Sequence, residues 1–373
     1  MNATKILLST VIVLSYFFLT SCIQPEALNT EADIESCQIE GDLLITPPKI
    51  ENNRVTLMLS PKADITRLAL DFVLTPGATI VPASGTVLDY RQPQSFVVTS
   101  EDGQWEKTYT ISCMVDKMGT TFGFEHYRTA VDKNGVELYH EFYEVAVEEE
   151  KLVEQNIWAS GNTGFKIVAA GKTPEEYPTV SSPDGMVGRC LKLETQSTGK
   201  AGEVLKMPLA AGNLFIGSYS GSLNALKATH FGLPFSRAVP IALCGYYKYK
   251  AGAVYTDKQL AEHPDKKDNF DIYCVMYETD DKVTYLDGTN VKESPNLVAM
   301  AQMPEADKIE TDEWTYFYLP IEVLPGKTID PAKLADNKYN LSIVFSSSKD
   351  GAAFSGAVGS TLYIDQVELL EEE

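Results

Sequence analysis

Residues 231–250 read FGLPFSRAVPIALCGYYKYK, and this stretch decides the fold class. A Pro-punctuated loop carrying Phe235 and Arg237 feeds a run whose residues alternate in character, the signature of a half-buried strand. Ile241, Leu243, Tyr247 and Tyr249 fall on one face. Cys244, Tyr246, Lys248 and Lys250 fall on the other. The first face reads as core. The second, tyrosine beside lysine, reads as a wet, hydrogen-bonding surface of the kind a β-sandwich presents.

Working outward, the chain of 373 residues has length for two domains, and 44% hydrophobic with 22% charged residues is globular composition. Its formal net charge of −21 repels phosphates, which argues against nucleic acid or anionic lipid headgroups as partners. Neutral or mildly cationic ligands remain open.

The N-terminus reads as an export signal over residues 1–22: Lys5, a short apolar run from Ile6 to Leu19, then Leu19-Thr20-Ser21-Cys22. This resembles a bacterial lipobox, which implies lipidation at Cys22, attachment to the membrane through that lipid, and a tether over residues 23–31. The apolar run is short for a bilayer span. The expected address is the cell envelope, as an outer-membrane lipoprotein whose membrane face stays open. Five cysteines are left, Cys37, Cys113, Cys190, Cys244 and Cys274, widely spaced and without CxxC, which is neither a disulfide framework nor a zinc site. Cys37 and Cys113 pair only if the terminal strands of the first domain are neighbours.

Residues 32–116 alternate short β-like runs with turns at Pro76-Gly77, Ser84-Gly85 and Asp102-Gly103, the spacing of a small sandwich. The string TPGATIVPASGTVLDY, continued by SFVVTSEDGQWEKTYTI, resembles the N-terminal immunoglobulin-like module of lipoproteins and glycan-capture proteins from gut-type Gram-negative bacteria. Such modules serve as spacers, which implies packing roles for Trp105 and Tyr109. After a junction at Lys117–Thr121, residues 120–373 read as one larger all-β domain. Helix is confined to short pieces, one capped by Asp330 ahead of Pro331 and another over 257–263.

Opening Phe122-Gly-Phe-Glu125 and closing Leu362-Tyr-Ile-Asp365-Gln-Val-Glu-Leu369 are similar to the two ends of galactose-binding-type jelly rolls. That resemblance implies a structural calcium held by Glu125 and Asp365; a capped, hydrogen-bonded carboxylate pair is the competing reading. Together with WASGN, GRCLKLET, AGNLFIG, NFDIYCVMYE and the opening stretch, these pieces resemble the putative carbohydrate metabolism domain family of Gram-negative, Bacteroides-type lipoproteins. The implied fold is a jelly-roll sandwich like a carbohydrate-binding module.

Sugar recognition needs an aromatic face for the apolar side of a pyranose and planar polar groups for its hydroxyls. Candidates are Trp158 with Asn162, Tyr177, Phe235 with Arg237, Tyr246, Asp271, Tyr273, and Lys349 with Asp350. In the run 269–278, Phe270, Ile272, Cys274 and Met276 read as core, leaving Asp271, Tyr273 and Tyr277 opposite. Asp271, Tyr273 and Tyr246 become floor residues only if their faces line the binding sheet. No GxSxG, HExxH, P-loop or dinucleotide fingerprint is present. The leading expectation is a non-catalytic, lipid-anchored glycan-binding protein working beside a glycan-uptake system. The alternatives are a glycoside hydrolase or lyase using an Asp/Glu pair that includes Asp271, and a structural subunit of a surface assembly.

Overall fold

The computed structural model describes residues 28–372 except 42, 45, 46, 60–62, 115–117, 133, 149, 150 and 221–223. Cys22 and the export signal lie outside the described residues. No helix among the described residues is long and apolar enough to cross a membrane.

The N-terminal module is a sandwich. Its five-stranded sheet runs Lys49–Glu51, Arg54–Met58, Glu106–Met114, Gln94–Thr99, Thr79–Val81, with Arg54–Met58 parallel to Glu106–Met114. The pairs Ile34–Gln38 with Asp71–Leu74, and Leu68–Ala69 with Val87–Leu88, supply the remaining strands. Alternation places Val55, Leu57, Phe96, Val98, Tyr109 and Ile111 in one core. Tyr109 is buried, donating to Asp33 at 2.9 Å and accepting from the Ile34 amide. Cys37 and Cys113 share this core but sit in different sheets as free thiols, each pushed up to about 12 by burial. Both are free, and the neighbouring-strand condition for their pairing is not met, since the first strand joins Asp71–Leu74 rather than the last strand.

Among the described residues the C-terminal domain is built on two large antiparallel sheets, with four two-stranded antiparallel pairs beside them. One has six strands, ordered Thr179–Ser182, Cys190–Glu194, Thr361–Glu371, Pro240–Lys250, Thr311–Pro320, with Thr121–Phe122 beside Thr361–Glu371. The other has eight and runs Trp158–Ala159, Asn213–Tyr219, Tyr339–Ser346, Asp271–Glu278, Leu297–Gln302, Glu322–Val323, with Thr229–Phe231 and Leu233–Pro234 paired to it. Leu243, Tyr247, Phe317 and Ile364 from the first sheet meet Ile216, Ile272, Ile343 and Phe345 from the second in one apolar layer. Gly217 at φ +149° lets Thr229–Phe231 approach, since a Cβ there would lie 2.1 Å from the His230 carbonyl.

The decisive strand, Pro240–Lys250, is central and buries Leu243, Tyr247 and Tyr249 as its alternation predicts. Ile241 departs from that pattern and is exposed. The pairing with Thr361–Glu371 shifts between Pro240 and Ala242, and the irregularity turns Ile241 outward while Ala242 goes in. Asp330 caps the helix Pro331–Ala335 by accepting from the Ala332 amide. The expected helical turn at 257–263 is instead a loop closed on Asp257, which accepts from the Gln259 and Ala261 amides.

Candidate functional site

Strand alternation that buries one face of the eight-stranded sheet turns Phe215, Tyr219, Asp271, Tyr273 and Val344 to the other. Over that face lies a groove of about 510 Å³, within the size range of small-ligand sites. Its walls come from loops: Phe165 and Val168 on one side, Leu205 and Met207 after the helix Gly199–Val204, Leu226 from the turn Ala225–Ala228, Val291 and Lys292, and finally Lys349 and Phe354. The lining is mainly apolar, with its charge concentrated at one end.

That end is an ordered ion-pair chain. Asp271, buried at 4% exposure, accepts from Lys292 at 2.6 Å, Lys308 at 3.3 Å and Gln302 at 3.2 Å. Lys308, whose side chain is 1% exposed, also reaches Glu305 at 2.6 Å, and Glu305 accepts from Lys349 at 2.9 Å. Burial raises the Glu305 carboxyl, but hydrogen bonds and charge from Lys308 and Lys349 outweigh it and hold it down at about 2. Lys292 sits 4.2 Å over the Tyr273 ring.

The rim segment 348–354 is pinned from below. Asp268, its carboxyl raised by burial, accepts from Ser348 at 2.5 Å, Ser360 at 2.7 Å and the Ala357 amide at 2.7 Å. Asp350 braces the same segment by accepting from Tyr255 at 2.6 Å and Lys266 at 2.9 Å. The segment ends on Phe354, a half-buried aromatic at φ +54°. A non-glycine residue there costs backbone strain that the surrounding bonds must hold.

Of the residues expected at a sugar site, the structure brings Asp271, Tyr273 and Lys349 together in this groove, with Asp350 supporting them. The others lie elsewhere. Trp158, 3% exposed, packs edge-on to Phe122, and its indole N–H donates to Glu144 at 2.9 Å. Its two-residue strand joins Asn213–Tyr219, and that register aims the indole into the core. Asn162 is fully buried, clamping the Thr179 backbone through both amide atoms. Tyr177 is a buried second layer behind Phe165. Phe235, 1% exposed, is core because its amide bonds to the Tyr339 carbonyl and draws the loop inward. Arg237 forms a two-contact pair with Glu371 at 3.0 and 3.1 Å. Tyr246 lies on the outer face of the six-stranded sheet beside exposed Tyr316, so its conditional floor role lapses. Phe354, Lys292 and Phe215 were missed. Phe354 had a signal, a lone aromatic within the small-residue loop Gly351–Gly356.

Glu125 and Asp365 serve the same loop. Glu125 accepts from the Arg189 amide at 2.9 Å, while Asp365, fully buried, accepts from the Met186 and Val187 amides at 2.7 and 3.1 Å. These amides engage one oxygen of each carboxylate, and no group of three or more His, Cys, Asp or Glu suited to a metal occurs among the described residues. The bonds themselves are those of the capped, hydrogen-bonded reading.

Residues 36–113 match the family model described as "SGBP, N-terminal", and residues 123–370 match "Putative carbohydrate metabolism domain". A search of curated proteins finds no match. A solved structure of a putative glycoside hydrolase from Bacteroides thetaiotaomicron is 47% identical, with a TM-score of 0.86 over 94% of this chain and 99% of that one. A second, of a putative glycoside hydrolase from Bacteroides vulgatus, is 45% identical, with a TM-score of 0.63 over 69% of this chain and 100% of that one. The domain that carries the groove is thus the domain the larger model covers, and the chain belongs to the putative carbohydrate metabolism domain family.

Proposed function

We propose that the protein is a lipid-anchored cell-envelope protein that holds a carbohydrate in the groove of its C-terminal domain without turning it over, alongside partner proteins of a glycan-uptake system. The observation that carries this reading is the groove itself: aromatic walls at Phe165, Phe215 and Phe354, with polar groups gathered at one end around Asp271. Apolar ring faces match the C–H face of a pyranose, while Lys349 and Lys292 offer donors to its oxygens.

A hydrolytic reading is favoured by the names of both solved relatives and by the carboxylates of Asp271 and Glu293 in the lining. Hydrolysis asks one carboxyl to donate a proton across the scissile bond while the other attacks or activates water. Asp271 is committed to three donors, which suits a fixed anchor better than a proton carrier.

Affinity electrophoresis against a glycan panel, paired with a reducing-sugar assay, tests both. Binding without sugar release, weakened about tenfold by Phe354→Ala at unchanged melting temperature, is the expected result. Release of sugar that disappears in Asp271→Asn would replace this reading with the hydrolytic one.

A further inference from the structure

The five-residue chain Lys292, Asp271, Lys308, Glu305, Lys349 alternates in sign but begins and ends on lysine, so it sums to one excess positive charge. Both terminal lysines line the groove, and each makes one carboxylate contact. An ammonium has three donors, so both retain capacity for a further acceptor. The middle lysine, Lys308, is almost wholly buried between its two carboxylates. Burying a cation is costly unless it is paired, and this pairing keeps the charge in place. Glu293 also lines the groove but is exposed and outside this chain of pairs.

We propose that the carbohydrate held in this groove carries an anionic substituent, a carboxylate or a sulfate, that is recognised by Lys292 and Lys349. The inference rests on the groove reading above and narrows it. A whole-chain charge of −21 opposes any anionic polymer at long range. At physiological salt, however, exposed charges are screened beyond about 8 Å, while a partly desolvated pair of ammoniums acts at contact. The distant charge slows and filters approach, and the local charge selects.

Two matched probe pairs test the proposal on the mature chain: polygalacturonate against its fully methyl-esterified form, and dextran sulfate against dextran. Each pair holds the sugar constant and changes the charge. The expected result is that the charged member of one pair binds at least about tenfold more tightly than its uncharged partner, and which pair responds separates carboxylate from sulfate. Lys349→Met and Lys292→Met each weaken that binding about tenfold, with Lys349→Arg retaining most of it. Lys282→Met, on an exposed turn, leaves it unchanged. The proposal is overturned if uncharged members bind as well as charged ones, or if the Met variants bind the charged member like the parent. Neutral glycan binding that is lost in Phe354→Ala but indifferent to the lysines would sink the anionic preference and leave the groove reading standing. Failure of every glycan, charged or neutral, would remove both.

Discussion

Glu144 shows how a buried residue beside a strong sequence signal changes the reading of that signal. Tryptophan near glycine and asparagine suggests a sugar platform, yet Trp158 spends its indole N–H on this carboxyl inside the core. Burial lifts Glu144 from an ordinary 4.5 to about 7, more than its hydrogen bonds from Trp158 and the Gly123 backbone lower it. The folded state therefore holds a proton that the unfolded chain releases at a lower pH. Stability from this group is fully present below the ordinary value and is lost as pH rises through about 7. The melting temperature of the parent should fall between pH 5 and 8 relative to Glu144→Gln, which keeps an acceptor for the indole but has no proton to lose. The span is worth roughly 3 kcal/mol at most. Identical pH profiles for the two proteins would contradict the assignment.

At the scale of elements, the same accounting applies to the loop 184–189. Asp365 takes the amides of Met186, Val187 and Gln366, and burial raises its carboxyl. Asp365→Ala leaves part-buried N–H groups without their acceptor, so a loss of about 1–3 kcal/mol is expected in denaturant titrations. Chelation or added calcium should leave the melting temperature of the parent where it is, and a rise with calcium would restore the metal reading. What was legible in the sequence follows from such elements. Period-two alternation in 240–250, 269–278 and 341–347 was long enough to assign core faces, and it placed Asp271 and Tyr273 opposite the core. A two-residue strand such as Trp158–Ala159 has no period to read. The Ile241 irregularity and the inward pull on Phe235 depend on partners more than 100 residues away, which no local pattern records. Phe354 escaped because its placement depends on Asp268 and the serines that pin its loop.

At the scale of the molecule, the N-terminal module is fastened to the groove-bearing domain by more than the chain between them. Its hairpin of Lys49–Glu51 and Arg54–Met58 meets the larger domain through charge. Lys49 donates to the carbonyls of Trp158 at 2.8 Å and Asn156 at 3.4 Å, and pairs with Glu51 at 3.3 Å. Glu51 accepts from the amide of Tyr219, a residue of the groove wall, and its carboxyl is raised by burial despite Lys49 beside it. Arg54 and Arg128 share Glu141 and Glu154 next to this contact. A module serving only as a spacer would not need a joint that buries ionic groups, since removing one partner of such a set costs about 3–5 kcal/mol. Coupling of this kind predicts that calorimetry of the parent shows both domains unfolding in one transition. Lys49→Met removes the donor to two carbonyls of the larger domain and leaves Glu51 without its cation. The expected thermogram then splits, with one domain melting earlier and the other near the original temperature. Two transitions already present in the parent would instead mean that the joint transmits no stability and that the modules unfold as independent bodies.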